Sequence, residues 1–509
     1  MLSRILSFLK IRKEALLLLC AAVIITSITC IHYTLTLLSW TDIGFTLDDS
    51  WIHLEYARSI FEHRAWEYSL GYPSTGSTSP LWSILLSFLF FFTTEYHGLI
   101  WGVFVVSWLF YSLCTYLVGY FVTKLSKSKM IGIVAMSFYV IIPRNTWLML
   151  SGMEYPLFLF LLLLPLYILE RPEYQFDLAL GVVAGLTFLA RPEGAVLAVV
   201  AFSIRIAQHV AWRDFTKQRL VSVILMPILA GLIVLPWLLY CIQTTGYPLP
   251  DTFYAKVGII TQEHVDAWNI FWLAFLGEMP FLLTGVLLGV LTLMKKRPYA
   301  WFMGIAYFLL YRFTMPYQAL INNSRYVVPI FAFLGITCIV AFGIFSDEIR
   351  PSTPRLEKEM ARTGVVLVLV SLVFFTSIPA YFNQAELFGN ATKNINEMQV
   401  DIGHWIARET PDDAILAVCD VGAVRFISNR TIIDLCGLVT PDIAHGNFTS
   451  FQLANYLESR ETDYLIIFGK WVNFYNYILY QHLTELYRVT LLDNRVCGDD
   501  VMVVFKITW

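Results

Sequence analysis

Two adjacent carboxylates, Asp48 and Asp49, stand in the stretch "FTLDDSWIHLEYAR", just past the first apolar run of the chain. Paired acids push each other's pKa values apart, so one can stay ionised while its neighbour orients or pairs. An ionised carboxylate at a membrane boundary can act as a general base toward a hydroxyl. The plain alternative is that Asp49 only caps the helix "SWIHLEYARSIFEH". A cap needs one Asp, and two are present.

Further polar residues fall near the ends of apolar runs. His53 follows the acid pair, and Glu154 lies in "SGMEYP". Arg191 lies in "ARPEG", Tyr254 and Lys256 in "YPLPDTFYAKVG", and Arg325 in "SRYVVP". A charge at the bilayer centre costs about 2.5–3.5 kcal/mol on insertion scales, so such charges are turned inward, paired or functional. Each has a structural reading as well. Glu154 can pair with Arg144 or Arg191, Arg325 can snorkel to head groups, Lys256 can be a solvated loop lysine, and His53 an interfacial helix residue. No His, Cys or carboxylate set has metal-ligand spacing, so no metal and no cofactor is expected. No phosphate-binding loop, nucleophile elbow or dinucleotide fingerprint occurs.

The elements that must position these residues are membrane helices. The chain has 509 residues, 57% hydrophobic and 14% charged, against about 25% charged in soluble domains. It reads as a multi-pass protein of the plasma (inner) membrane, with membrane lipids as neighbours and no role for nucleic acid. Apolar runs fall at about 14–38, 99–121, 131–149, 156–170, 178–204, 220–243, 270–293, 299–314, 327–345 and 363–382. Basic clusters set the orientation. Arg4, Lys10, Arg12 and Lys13 put the N-terminus in the cytoplasm. The loops with Arg205 to Arg219, Lys295 to Arg297 and Arg350 to Arg362 lie on that side only if 178–204 is a hairpin, with Arg191-Pro192-Glu193-Gly194 at its outer turn. About eleven transmembrane helices result, with a first outer loop at about 39–98. The run at 81–93 is too short to cross and reads as interfacial.

Residues 1–383 therefore form the transmembrane domain, and 384–509 an extracytoplasmic α/β domain. That tail carries sixteen acidic and nine basic residues, a net −7 out of the chain's −3. "AILAVC", "TIIDL", "DYLIIF" and "VMVVFKI" read as strands; "FQLANYLESR" and "WVNFYNYILYQHL" have helical spacing. Asp420 and Asp434 sit at strand ends. Cys419, Cys436 and Cys497 allow at most one disulfide there.

The ordered motifs resemble those of the GT-C membrane glycosyltransferases, in the bacterial and archaeal branch that includes the mycobacterial terminal arabinofuranosyltransferases. The resemblance runs over "DDSWIHLEYAR", "STGSTSPLW", "SGMEYPLF", "ARPEGA", "YPLPDTFYAKVG", "SRYVVP" and "DVGAVRFISNRTIIDLCGLVTPDIA". Glu55 stands where that branch has an Arg, and "YSLGYPS" replaces an Asn-Pro-Gly stretch. The resemblance implies an inverting sugar transfer, on the extracytoplasmic face, from a polyprenyl-phosphate donor to a glycan, lipid or protein acceptor. In that scheme Asp48 is the base and Asp49 its helper or cap. Lys256 and Arg325, then Arg191, neutralise the phosphate, and Glu154 orients the acceptor or holds an Arg. His53 and Tyr254 complete the substrate contacts. The competing readings are a lipid-linked-sugar flippase and a non-catalytic component of polysaccharide assembly. A flippase is expected to carry internal repeats and midplane charges; this sequence has no repeat.

Overall fold

The computed structural model describes residues 2–256, 262–278, 299–314, 316, 321–330, 333, 355–446, 448–479 and 482–509. The first part is helical: α1 (Leu2–Trp40), α2 (Asp49–His63), α3 (Pro80–Ser87), α4 (Tyr96–Ser126), α5 (Lys129–Ile141), α6 (Asn145–Met149), α7 (Tyr155–Ile168), α8 (Gln175–Ala190), α9 (Gly194–Trp212), α10 (Lys217–Thr245), α11 (Asp251–Lys256), α12 (Gln262–Glu278), α13 (Tyr299–Thr314) and α14 (Arg355–Ile395). A small hairpin, β1 (Glu67–Ser69) and β2 (Tyr72–Pro73), separates α2 from α3. Among the described residues, four helices are long and apolar enough to cross a membrane by length and composition: Lys13–Trp40, Tyr96–Ser126, Gly194–Trp212 and Lys217–Thr245. Shorter apolar helices, such as Tyr155–Ile168 and Gln175–Ala190, accompany them. The expected spans at 270–293 and 327–345 lie largely outside the described residues.

Local chemistry explains the breaks. The expected hairpin at 178–204 is present as α8 and α9, parted where Pro192 disfavours a helical Arg191. Arg191 is extended there, with φ −161° and ψ 136°. The run 131–149 is not one helix. α5 stops at Ile141 ahead of Pro143, Arg144 turns left-handed at φ 70°, and α6 restarts at Asn145. The run 81–93 divides into the eight-residue α3 and a short 3₁₀ turn, Phe88–Phe91. That is far below the roughly 20 residues a span needs.

α14 continues without a break through residue 384 and leads into the tail. There α15 (Asp401–Glu409), α16 (Gly422–Ser428), α17 (Pro441–His445), α18 (Ser450–Ser459) and α19 (Val472–Ile478) surround a five-stranded sheet. Its strands are β3 (Ile415–Val418), β4 (Thr431–Asp434), β5 (Tyr464–Phe468), β6 (Leu483–Thr490) and β7 (Val501–Ile507), in the order β4-β3-β5-β7-β6. β3 is parallel to β4 and β5; β7 runs antiparallel to β5 and β6. All four expected strands are present. The segment expected as one helix over "WVNFYNYILYQHL" keeps only α19, and the edge strand β6 was not anticipated. β6 is mostly exposed, so its sequence lacks the apolar run of a central strand. The described cysteines are all free thiols.

The bundle and the tail each have a buried apolar core, and α2 belongs to both. Trp51 and Leu54 pack into the bundle, while Ile52 and Tyr56 pack into the tail. The helix that follows the acid pair is therefore the seam of the molecule.

Candidate active site

Three sequence motifs interlock to build one end of the bundle. In "SGMEYP", Gly152 has φ +88°, a conformation only glycine adopts at low cost. A side chain there would also meet the Phe45 ring at 2.5 Å. This turn points two carbonyls at the segment between α1 and α4. Ser50 Oγ donates to the Ser151 carbonyl at 2.8 Å, and Trp82 Nε1 to the Gly152 carbonyl at 3.1 Å. "DDSW", "TSPLW" and "SGMEYP" are thus bound together through backbone, and Glu154 comes to rest beside His53, 3.1 Å from its Nε2.

Around this frame lies a buried set of charges. Arg191 pairs with Glu154, and with Glu193 at 2.9 Å. Its guanidinium lies 4.7 Å from the Tyr155 ring centre and 5.1 Å from that of Tyr326. Tyr311 donates a hydrogen bond to Glu193. Arg191 is thereby held between two carboxylates.

Arg325 differs. Its Nη2 donates to Asp49 Oδ2 at 2.5 Å and to the Tyr326 hydroxyl at 3.0 Å. Its Nε and Nη1 are buried and make no hydrogen bond, and the side chain is only 3% exposed. A buried guanidinium with unused donors costs free energy unless something accepts from them. Tyr155 Oη and His53 Nδ1 are likewise buried without a partner. This end of the bundle is an incomplete polar network, with a fork of donors suited to a planar or tetrahedral anion.

The structure redistributes the expected roles of the acid pair. Asp48 occupies the residue before α2, but its side chain does not cap that helix. Instead both carboxylate oxygens accept from the tail: Gly422 N–H to Oδ2 at 2.7 Å and Ala423 N–H to Oδ1 at 2.8 Å. Asp48 therefore caps α16, at the carboxyl end of β3. Open α/β sheets commonly hold an anionic ligand at such a strand end and helix N-terminus; this chain fills the position with its own carboxylate. Asp48 is buried, with both oxygens engaged, whereas the Asp49 side chain is 26% exposed. Burial, and then the charge of Asp420, push the Asp48 carboxyl well above the usual range, against the pull of the two N–H groups. Burial also lifts Asp420 to about 6; the Gln399 amide lowers it and the charge of Asp49 raises it.

The tail is tied down at further points that sequence reasoning did not single out. Glu55 pairs with Arg58 and, at 3.0 Å, with Arg425 of α16. Its carboxylate, at the position of an expected Arg, is therefore matched by an arginine of the tail. Tyr68 Oη donates to the Val421 carbonyl at 3.0 Å. Asp251, buried in α11, lies 2.9 Å from His445 Nε2 of α17. The His445 ring stacks on Tyr247 with centres 4.1 Å apart, and Tyr254 meets it edge-on at 5.3 Å. Tyr254 thus belongs to a joint between loop and tail rather than to the Asp49–Arg325 pair. Lys256 ends α11, and its side chain lies outside the described residues. A signal for these ties was present in the sequence: "YPLPD" and "GLVTPDIAH" are both motif segments, and they meet in space.

Among the described residues no group of His, Cys, Asp and Glu is arranged to hold a metal ion. A bundle of apolar helices, with carboxylates and arginines at one end and a small α/β domain docked over them, is the architecture expected from the GT-C resemblance. Solved structures with this fold are those of ArnT from Cupriavidus metallidurans, one bound to undecaprenyl phosphate and one in the apo state. Each superposes with a TM-score of 0.60 at 14% sequence identity, over 95% of this chain and 97% of that chain. At that identity the likeness is one of fold. Residues 393–505 match a family described as a domain of unknown function (DUF8728). No curated protein matches the sequence.

Proposed function

We propose that this protein is an inverting glycosyltransferase that moves a sugar from a polyprenyl-phosphate donor to an acceptor hydroxyl on the extracytoplasmic face. The observation that carries this reading is Arg325: buried, bound to Asp49 through one nitrogen, and holding two unused donors. The ArnT fold and its complex with undecaprenyl phosphate support a lipid phosphate as the anion. The motif resemblance to the arabinofuranosyltransferase branch supports the same donor class.

In this mechanism Asp49, rather than Asp48, takes the acceptor proton, because the carboxylate oxygens of Asp48 are engaged by α16. The acceptor oxygen attacks the anomeric carbon from the face opposite the phosphate. The carbon–oxygen bond to phosphate breaks, and polyprenyl phosphate departs with its charge held by the Arg325 fork. Donors aimed at charge that develops in the transition state accelerate such steps strongly. Glu154 and His53 position Arg191 and the turn beneath it.

The test uses purified full-length protein with a polyprenyl-phosphate sugar and an envelope glycan acceptor. Release of polyprenyl phosphate with glycan extension is expected, and Asp49→Asn lowers turnover by about 10²–10⁴-fold, the usual contribution of a general base. Asp48→Asn instead loosens the tail, read as a lower melting temperature. Lipid movement across the bilayer without bond cleavage would establish the flippase reading, and full turnover by Asp49→Asn would remove the base from its role.

A further inference from the structure

A cavity lies away from the acid pair. It is an open cleft of about 530 Å³ between the β1–β2 hairpin, the C-terminal end of α10 and the tail. That volume is within the range of about 300–1,000 Å³ for ligand sites, which favour domain seams. Its walls carry aromatic and polar groups beside the aliphatic side chains of Ile415, Ile432, Ile433 and Val439. Tyr72 of the hairpin is 47% exposed. Opposite it, the Arg460 guanidinium lies 5.9 Å from the Tyr72 ring centre and 5.3 Å from that of Tyr456. Arg460 Nη2 donates to Asp442 Oδ2 at 2.8 Å, and Tyr456 Oη donates to the same oxygen at 3.0 Å.

The chemistry narrows the occupant. Asp442 and Arg460 cancel, so the described wall has no surplus charge to hold a phosphate or a polyanion. A lipid chain would desolvate the tyrosine hydroxyls, Gln243, Thr244 and the ion pair without offering them hydrogen bonds, which disfavours it. Exposed tyrosine faces beside a carboxylate–guanidinium pair suit a sugar ring. Its C–H face lies on the aromatic ring, and its neighbouring hydroxyls both donate to the carboxylate and accept from the guanidinium. Tyr68 connects the cleft to the acid pair. It lines the cleft, and its hydroxyl binds the carbonyl of Val421, the residue before the Gly422 N–H that holds Asp48.

We infer that this cleft binds a neutral, hydroxyl-rich saccharide chain, and that this chain is the acceptor glycan. The second half rests on the transferase reading; the binding itself does not. The cleft sets which acceptor is used, while Asp49 and Arg325 perform the transfer.

The experiment measures binding of fluorescently labelled neutral oligosaccharides, released from the native host's envelope glycan, to detergent-purified full-length protein. Tyr72→Ala and Arg460→Ala each weaken binding about tenfold, the loss of one good contact; Tyr72 is exposed and Arg460 half-buried at the surface, outside the apolar cores, so the fold is retained. Tyr72→Trp keeps the aromatic face and keeps binding. Asp49→Asn binds the oligosaccharide as wild type does. In the transfer assay Tyr72→Ala raises the acceptor KM about tenfold with kcat and the donor KM unchanged. Absence of saccharide binding, binding indifferent to Tyr72 and Arg460, or preference for an envelope-protein peptide over the saccharide would each overturn the inference. Saccharide binding at the cleft without glycan extension would leave the cleft intact and sink the transferase reading alone.

Discussion

Helix α8 has a buried ion cluster at each end, and the two are built differently. At its first turn Asp177 pairs with Arg205 at 2.9 Å and Arg219 at 2.8 Å, lies 3.3 Å from His209, and accepts from Ser222 at 2.5 Å. The remaining nitrogens of Arg219 reach Asp214 and the Pro172 carbonyl, and those of Arg205 reach Gln208 and the Ile168 carbonyl. All three nitrogens of Arg219 are thus engaged, whereas Arg205 Nε and both His209 nitrogens make no hydrogen bond. At the other end, Arg191 and Glu193 follow the last turn, and the neighbouring Arg325 keeps two donors without acceptors. Buried charges are tolerated where their hydrogen bonds are complete. A guanidinium with unused donors, such as that of Arg325, is suited to the acceptors of a ligand. Arginine content separates the two ends poorly; the contrast lies between Arg219, whose nitrogens are all engaged, and Arg325, two of whose nitrogens are not.

That contrast is open to direct attack with the same substitution at both ends. Arg325→Lys keeps the charge but removes the planar fork. It is expected to lower kcat by about 10²-fold with little change in melting temperature. Arg219→Lys is expected to destabilise the protein by about 2 kcal/mol through lost buried partners, leaving kcat of the folded fraction close to wild type. Thermal melts and turnover assays on the pair decide it, and equal activity losses at both ends would erase the distinction.

A smaller effect probes the seam. A Cβ on Gly422 would lie 2.1 Å from the Asp48 carbonyl oxygen, a backbone atom that cannot swing aside. Gly422→Ala is therefore expected to push α16 off Asp48, at about 1–3 kcal/mol for an overpacked contact. Faster amide exchange over residues 415–434 would register it, and unchanged exchange would mean that α16 is held elsewhere.

The smallest effect is one of pH. Asp420 titrates at about 6 in the folded chain and at about 4 when unfolded. Across that interval the native state binds the extra proton, so stability falls as pH rises through it and levels off above. Asp420→Asn should flatten that part of the curve of melting temperature against pH. A slope identical to wild type would show that burial does not raise the Asp420 carboxyl.

Much of the molecule was readable because its signals are local. Membrane character, the α8–α9 hairpin, four strands of the tail and the acid pair all follow from composition, basic-residue bias or periodicity; the parallel pairing of the strands does not. The edge strand β6 was not readable, since an exposed strand lacks an apolar run. Lys256 and Tyr254 were grouped with Arg325 because all three belong to loops assigned to one face. In the structure Tyr254 packs with His445 and Tyr247 instead.

By itself, then, the sequence placed Asp48 and Asp49 at a helix start just past the first apolar run, and led to the expectation that cations lie in other loops of one face. Only the tertiary structure decided which carboxylate faces which partner. Adjacent residues at a helix start project in different directions, so one backbone register turns Asp48 toward the amides of Gly422 and Ala423 and Asp49 toward Arg325. Those partners lie more than 270 residues away along the chain, at separations of 374, 375 and 276. No local pattern encodes such a pairing; it follows from how the bundle and the tail close upon α2.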